Sequence, residues 1–182
     1  MSVTDMLIRL ARRCTNDPLL FVEKSFDWGH GELHGLAGPL AWQRDILATT
    51  RDELAKGGEY GSVLKSALLR IAVASGHGIG KSCLVSWLIL WAMCTAADTR
   101  GVVTANTDTQ LRTKTWAELS KWYRLCFFRS WFTLTATSLL SKQSGHEKSW
   151  RIDAVPWSES NPEAFAGLHN KGRRLLMVFD EA

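Results

Sequence analysis

Apolar residues fall along this chain in two textures, and each predicts a different element. Recurrence at helical spacing predicts a short helix over residues 3–13, with Ser2 or Thr4 as cap and Arg9, Arg12 and Arg13 on its later turns. Residues 25–41 are rich in glycine and read as loop. A helix follows from Trp42 to about Lys56, ended by Gly57-Gly58. The segment Ala67–Ala74, apolar except for Arg70, has the length and composition of a buried parallel strand, and Lys81 to about Ala97 that of a helix. Gly101–Ala105 predicts a second strand, and a helix capped by Asn106 or Thr107 should run from Thr109 to about Phe128. Two β-like runs, Trp131–Thr137 and Ser149–Val155, flank a polar turn at Ser144-Gly145. Pro156 to Pro162 reads as loop, and Leu175–Phe179 is an apolar strand ending in Asp180-Glu181. Strands alternating with helices predict an α/β fold with a mostly parallel sheet flanked by helices, and an antiparallel addition near residues 131–155.

Composition narrows this picture only a little. With 182 residues, 46% apolar and 22% charged, the chain suits one domain with a real core. A formal charge of +4 permits a nucleic-acid partner without requiring one, because the basic residues are spread along the chain. Nine tryptophans are expected in the core or at interfaces. The four cysteines have no C-x-x-C spacing and read as reduced thiols of a cytoplasmic protein. The amino-terminal residues carry no secretory signal, and the apolar stretch Cys83–Ala97 falls short of the roughly twenty residues a membrane span needs. His30 and His34 lie close together in the glycine-rich loop, but no further Cys or His follows at ligand spacing.

Chemistry concentrates where the first predicted strand meets its helix. Residues 75–82 read Ser-Gly-His-Gly-Ile-Gly-Lys-Ser. Glycine lets the backbone fold tightly, so that the N–H groups of Gly76, His77, Gly78, Ile79 and Gly80 can turn inward on an anion. The helix adds its own unpaired N–H groups and the positive end of its dipole. Lys81 is then expected to reach the β- and γ-phosphates of a nucleotide and Ser82 to ligate Mg²⁺. The loop departs from G-x-x-x-x-G-K-[ST] in placing Ser75 at the first glycine, with Gly76 next to it. The second half of such a site is the acidic end of the strand at 175–179. Carboxylates at the carboxyl ends of parallel strands face the ligand crevice. Asp180 is expected on the metal side and Glu181 on the attacking water. Together these give a P-loop NTPase-type expectation, with ATP and Mg²⁺ as ligands and Lys81 and Glu181 as catalytic residues.

Several segments resemble the N-terminal ATPase domain of phage terminase large subunits, the motors that package DNA. They are Gly38-Pro39-Leu40-Ala41-Trp42-Gln43, the glycine loop, Thr104-Ala105-Asn106-Thr107 with Gln110, Asn161 to His169, and Val178-Phe179-Asp180-Glu181-Ala182. The resemblance implies ATP hydrolysis driving translocation of double-stranded DNA. It implies adenine recognition by Gln43, partnership with a terminase small subunit and a portal protein, a homo-oligomeric motor, and a bacterial host cytoplasm as its place. Some members carry an arginine in the loop where His77 stands here. An arginine from a neighbouring subunit, or Arg173 or Arg174, is the alternative. The family continues past the acidic strand into a nuclease domain, so the chain is expected to be a front fragment whose sheet is incomplete at the C-terminus. Its expected division is an N-terminal helical, adenine-recognition region (1–60) and a truncated P-loop ATPase core (61–182). Two other readings stay open: a helicase-like P-loop ATPase acting on nucleic acid, and an inactive nucleotide-binding fragment.

Overall fold

The computed structural model describes residues 2–56, 69–74, 78–156 and 170–180. Four helices come before the first strand: α1 (Val3–Arg13), α2 (Pro18–Lys24), α3 (Ala41–Lys56) and α4 (Lys81–Thr95). Strand β1 (Arg100–Ala105) follows, then a helical run made of α5 (Asp108–Gln110), π-helical turns at Leu111–Trp116, and α6 (Ala117–Leu125). Strands β2 (Phe132–Leu134), β3 (Ser138–Ser141), β4 (Arg151–Ala154) and β5 (Leu175–Asp180) complete the sheet.

Local chemistry accounts for the helix starts. Ser2 and Asp5 form a reciprocal capping box on α1. The Asp17 carboxylate accepts from Leu20 N–H at 2.9 Å, and Pro18 occupies the first turn of α2. There its missing N–H costs nothing. Thr107 caps the run after β1, accepting from Gln110 N–H at 3.1 Å, so Thr107 and Gln110 form a helix start.

Apolar residues surround α4, and protein covers most of it, with Leu84, Val85, Leu88 and Trp91 lining a cleft on one side. Leu84, Trp87, Ile89, Leu90, Trp91, Ala92, Met93 and Cys94 are all buried. They pack against α1, α2, α6, β4 and β5. An aromatic cluster of Phe26, Trp28, Trp87 and Trp122 closes one side, with Trp87 and Trp122 edge-on at 4.9 Å between centroids. Five tryptophans (87, 91, 116, 122 and 150) are buried, as expected of core residues. Among the described residues no helix is long and apolar enough to cross a membrane.

The sheet corrects the expected topology. Its order is β2-β3-β4-β1-β5. β1 runs parallel to β4 and β5, whereas β3 is antiparallel to β2 and β4. It is a mixed sheet, not the mostly parallel P-loop NTPase-type sheet the alternation of strands and helices predicts. The reason is local. Thr135 closes a tight turn by accepting from Ser138 N–H at 2.9 Å, and Gly145 supplies a left-handed residue (φ 84°) between β3 and β4. Such turns return the chain antiparallel, where a crossover helix would have made it parallel. The predicted strand at 67–74 also fails. Residues 69–74 adopt no strand, with Ile71 41% exposed, and residues 67 and 68 lie outside the described set.

β5 is an edge strand of strict alternation. Leu176 and Val178 pack on the core, while Leu175, Met177 and Phe179 are exposed. Its register places Ala105 opposite Asp180. At Gly101 the two strands approach so closely that a Cβ would lie 2.5 Å from the Leu176 carbonyl oxygen, so glycine is needed there.

The amino-terminal ends of β1, β4 and β5 are fastened by Asp98, a buried residue in the left-handed region (φ 54°). Its carboxylate accepts from Ser149 at 2.7 Å, meets His146 Nδ1 at 2.5 Å, and pairs with Arg173. Asn170 donates to both the Asp98 and the Arg174 carbonyls. Burial alone would raise the Asp98 carboxyl, but the His146 and Ser149 hydrogen bonds and the Arg173 charge outweigh it and hold it below its ordinary 3.8. A depressed carboxyl contributes stability above its unfolded value, and that contribution is lost as pH falls through the lower folded value. Asp98→Asn should therefore cost roughly 1–3 kcal/mol at neutral pH and flatten the loss of stability below about pH 4. Urea unfolding across that range checks this, and an unchanged acid slope would remove Asp98 from this role.

Candidate functional site

The site is built where α4 begins. Gly78 (φ 79°) and Gly80 (φ 92°) both lie in the left-handed region, which L side chains rarely adopt. Gly80 is the N-cap of α4, and among the described residues no side chain caps this helix start. Lys81 and Ser82 are the first two residues of the helix, both half-buried, with Ile79 half-buried just before them. Gly76 and His77 lie outside the described residues, as do Glu181 and the stretch from Asn161 to His169.

Gln43 holds this turn from below. It is 2% exposed. Its Oε1 accepts from Leu40 N–H at 2.9 Å, closing the first turn of α3, and its Nε2 donates to the Gly80 carbonyl at 3.0 Å. That carbonyl also accepts from Leu84 N–H at 3.2 Å, the first rung of α4. A Cβ on Gly80 would sit 2.8 Å from Gln43 Nε2, so glycine is required for space as well as for φ. Next to it, burial raises the Cys83 thiol well above its usual range, and the side chain packs against the core.

Asp180 arrives from the other end of the sequence. It is 8% exposed at the carboxyl end of β5 and accepts from Thr115 Oγ1 at 2.5 Å. Both Lys81 and Asp180 line one cleft of about 710 Å³ between α3, α4, β5 and residues 69–74. Trp91 and Arg174 line it too, on the later part of α4 and just ahead of β5. Thus the two expected halves of the site, the lysine and the strand-end carboxylate, share a cavity.

The two arginines considered as substitutes for a loop arginine are engaged in contacts of their own. Arg173 pairs with Asp98. Arg174 is buried, stacks 4.1 Å over Trp91, and donates to the Thr15 carbonyl and to Thr95 Oγ1 at the far end of α4. Thr115 was not singled out by sequence reasoning. It is one of many hydroxyls in a helical stretch, and only the tertiary fold brings it to Asp180.

At this end of the cleft the oxygen donor is the Asp180 carboxylate, while the Ser82 hydroxyl belongs to the first turn of α4 and is not part of the cleft lining. Among the described residues no group of three or more His, Cys, Asp or Glu could cage a metal ion. One carboxylate is compatible with Mg²⁺, which keeps much of its water and takes one or two protein oxygens together with substrate phosphates. No protein-family model matches this chain, and no curated protein matches it.

Because Gln43 satisfies two backbone groups, its removal should be felt without any ligand. Gln43→Ala should destabilise the nucleotide-free protein by about 1–3 kcal/mol, since it strands the Leu40 N–H and takes one donor from Gly80. Thermal or urea unfolding measures this. Parent-like stability would mean the amide is not what holds the turn.

Proposed function

We propose that this chain binds ATP at the start of α4 and hydrolyses it, as the ATPase part of a DNA-packaging motor of the terminase large-subunit kind. One observation carries the nucleotide reading: Lys81, directly after two left-handed glycines at the start of α4, lines the same cleft as the strand-end carboxylate of Asp180. The terminase assignment rests on the quoted sequence segments. In this reading the loop and first-turn N–H groups receive the phosphate oxygens. Lys81 balances charge on the β- and γ-phosphates. Magnesium, when bound with the nucleotide, offsets phosphate charge and orients the γ-phosphoryl group. Asp180 and Ser82 would hold it, and Glu181 would orient the attacking water and accept its proton.

Adenine reading by Gln43 belongs to the same proposal. It requires the amide to exchange at least part of its backbone partnership for the purine edge, because the side chain is now enclosed. Double-stranded DNA as the translocated substrate, a small subunit and a portal as partners, a homo-oligomeric ring and the host cytoplasm complete the reading.

Lys81→Ala should weaken ATP binding by about 10- to 100-fold, the worth of a charge-assisted contact, in a variant that still unfolds cooperatively. Calorimetric titration measures it, and unchanged affinity would end the phosphate-loop assignment. Glu181→Gln should keep ATP affinity while turnover falls by about 10²–10⁴-fold. Steady-state phosphate release is the readout, and turnover within a few-fold of the parent would exclude Glu181 from the chemistry.

A further inference from the structure

The contact between Thr115 and Asp180 joins residues 65 positions apart, with Thr115 1% exposed and Asp180 8% exposed. A hydroxyl beside an ionised carboxylate can only donate to it, and 2.5 Å is the short range of charge-assisted O–H···O⁻ bonds. Thr115 lies within the π-helical turns Leu111–Trp116, between the ordinary helical turns of α5 and α6. Widening by one residue per turn shifts the side chains that follow relative to the helix axis, and such turns gather at functional positions. The residues around Thr115 leave it little freedom. Leu111 is fully buried, and Trp116 is buried with its indole N–H on the Thr135 carbonyl at 2.9 Å. These contacts hold the widened turn against the sheet, with Thr115 directed at the end of β5.

We infer that Thr115 is the positioning residue for Asp180. It fixes the carboxylate through Oδ2 and so leaves Oδ1 as the oxygen that meets a ligand in the cleft. This rests on the reading of Asp180 as a metal-side carboxylate. A carboxylate with one oxygen hydrogen-bonded to a buried hydroxyl is biased against turning away from the cleft. Its orientation is therefore set before nucleotide and metal arrive, which lowers the ordering cost of binding.

The test measures ATP affinity by calorimetry on the whole chain, once in EDTA and once with excess Mg²⁺. The parent, Asp180→Asn, Thr115→Val and Thr115→Ser are compared. The parent should bind more tightly with Mg²⁺, and Asp180→Asn should lose that advantage. Thr115→Val should lose about 10-fold of it, the worth of one hydrogen bond to a charged group, with affinity in EDTA unchanged. Thr115→Ser, which keeps the hydroxyl, should restore it. If Thr115→Val does not fold, Thr115→Ala replaces it with the same expectation. A parent-like Mg²⁺ advantage in the Val or Ala variant, alongside its loss in Asp180→Asn, overturns the positioning role and leaves the ATP reading standing. Equal loss in the Ser and Val variants also overturns it, since packing and not the hydroxyl would then be responsible. A folded parent that shows no Mg²⁺-dependent ATP binding overturns both.

Discussion

A helix with apolar residues on every side has no face to give to water, and α4 is such a helix, so the remaining elements must enclose it. That enclosure also fixes its two ends. At the amino end the Gln43 amide bridges the first turn of α3 to the Gly80 carbonyl. At the carboxyl end the Arg174 guanidinium lies over Trp91 and donates to Thr95 Oγ1 and the Ala92 carbonyl. The Ala92 carbonyl is one of the last four that a helix terminus leaves without an intrahelical partner, and a cation suits the negative end of the dipole. Because Arg174 immediately precedes β5, the anchor that finishes α4 also sets where β5 begins. The glycine turn and Asp180 are therefore held by one packed unit, although they are distant in sequence.

Much of this was legible before the fold was known. α1, α3, α4, β1 and β5 begin and end within a few residues of where periodicity, caps and apolar runs put them. Their signals are local: a cap residue, a 3.6-residue period or an unbroken apolar run. What escaped the sequence depends on partners. The run at 69–74 has strand composition, but an apolar run does not name the strand it would pair with. β3 is only Ser-Leu-Leu-Ser, too short to stand out, and it becomes a strand through its ladders to β2 and β4. α2 did carry a local signal, Asp17-Pro18, that passed unread.

The site was legible in the same uneven way. Lys81, Gly78, Gly80 and Asp180 stand where a helix start and a strand end place them. The burial of Gln43 and the reach of Thr115 could not be read, because both follow from long-range packing and, for Thr115, from a π-helical geometry that a 3.6-residue period does not reveal.

A mixed sheet need not disturb chemistry at the ends of its parallel strands. The cleft requires only that β1 and β5 run in the same direction and that α4 return antiparallel to them, bringing its first turn to their carboxyl ends. The antiparallel pairings lie on the other side of β4 from β1 and β5, away from Lys81 and Asp180. The opposite ends of the strands are closed by polar contacts: Asp98 with His146, Ser149 and Arg173, the Thr99 carbonyl with Arg151 N–H, and the Arg174 carbonyl with Arg100 N–H. One end of the parallel pair is thus tied by directional bonds, and the other opens onto a cavity with a lysine and an anchored carboxylate on its wall. Polar groups at the tied end are satisfied by protein, whereas the first turn of α4, which has no side-chain cap among the described residues, starts beside the open end.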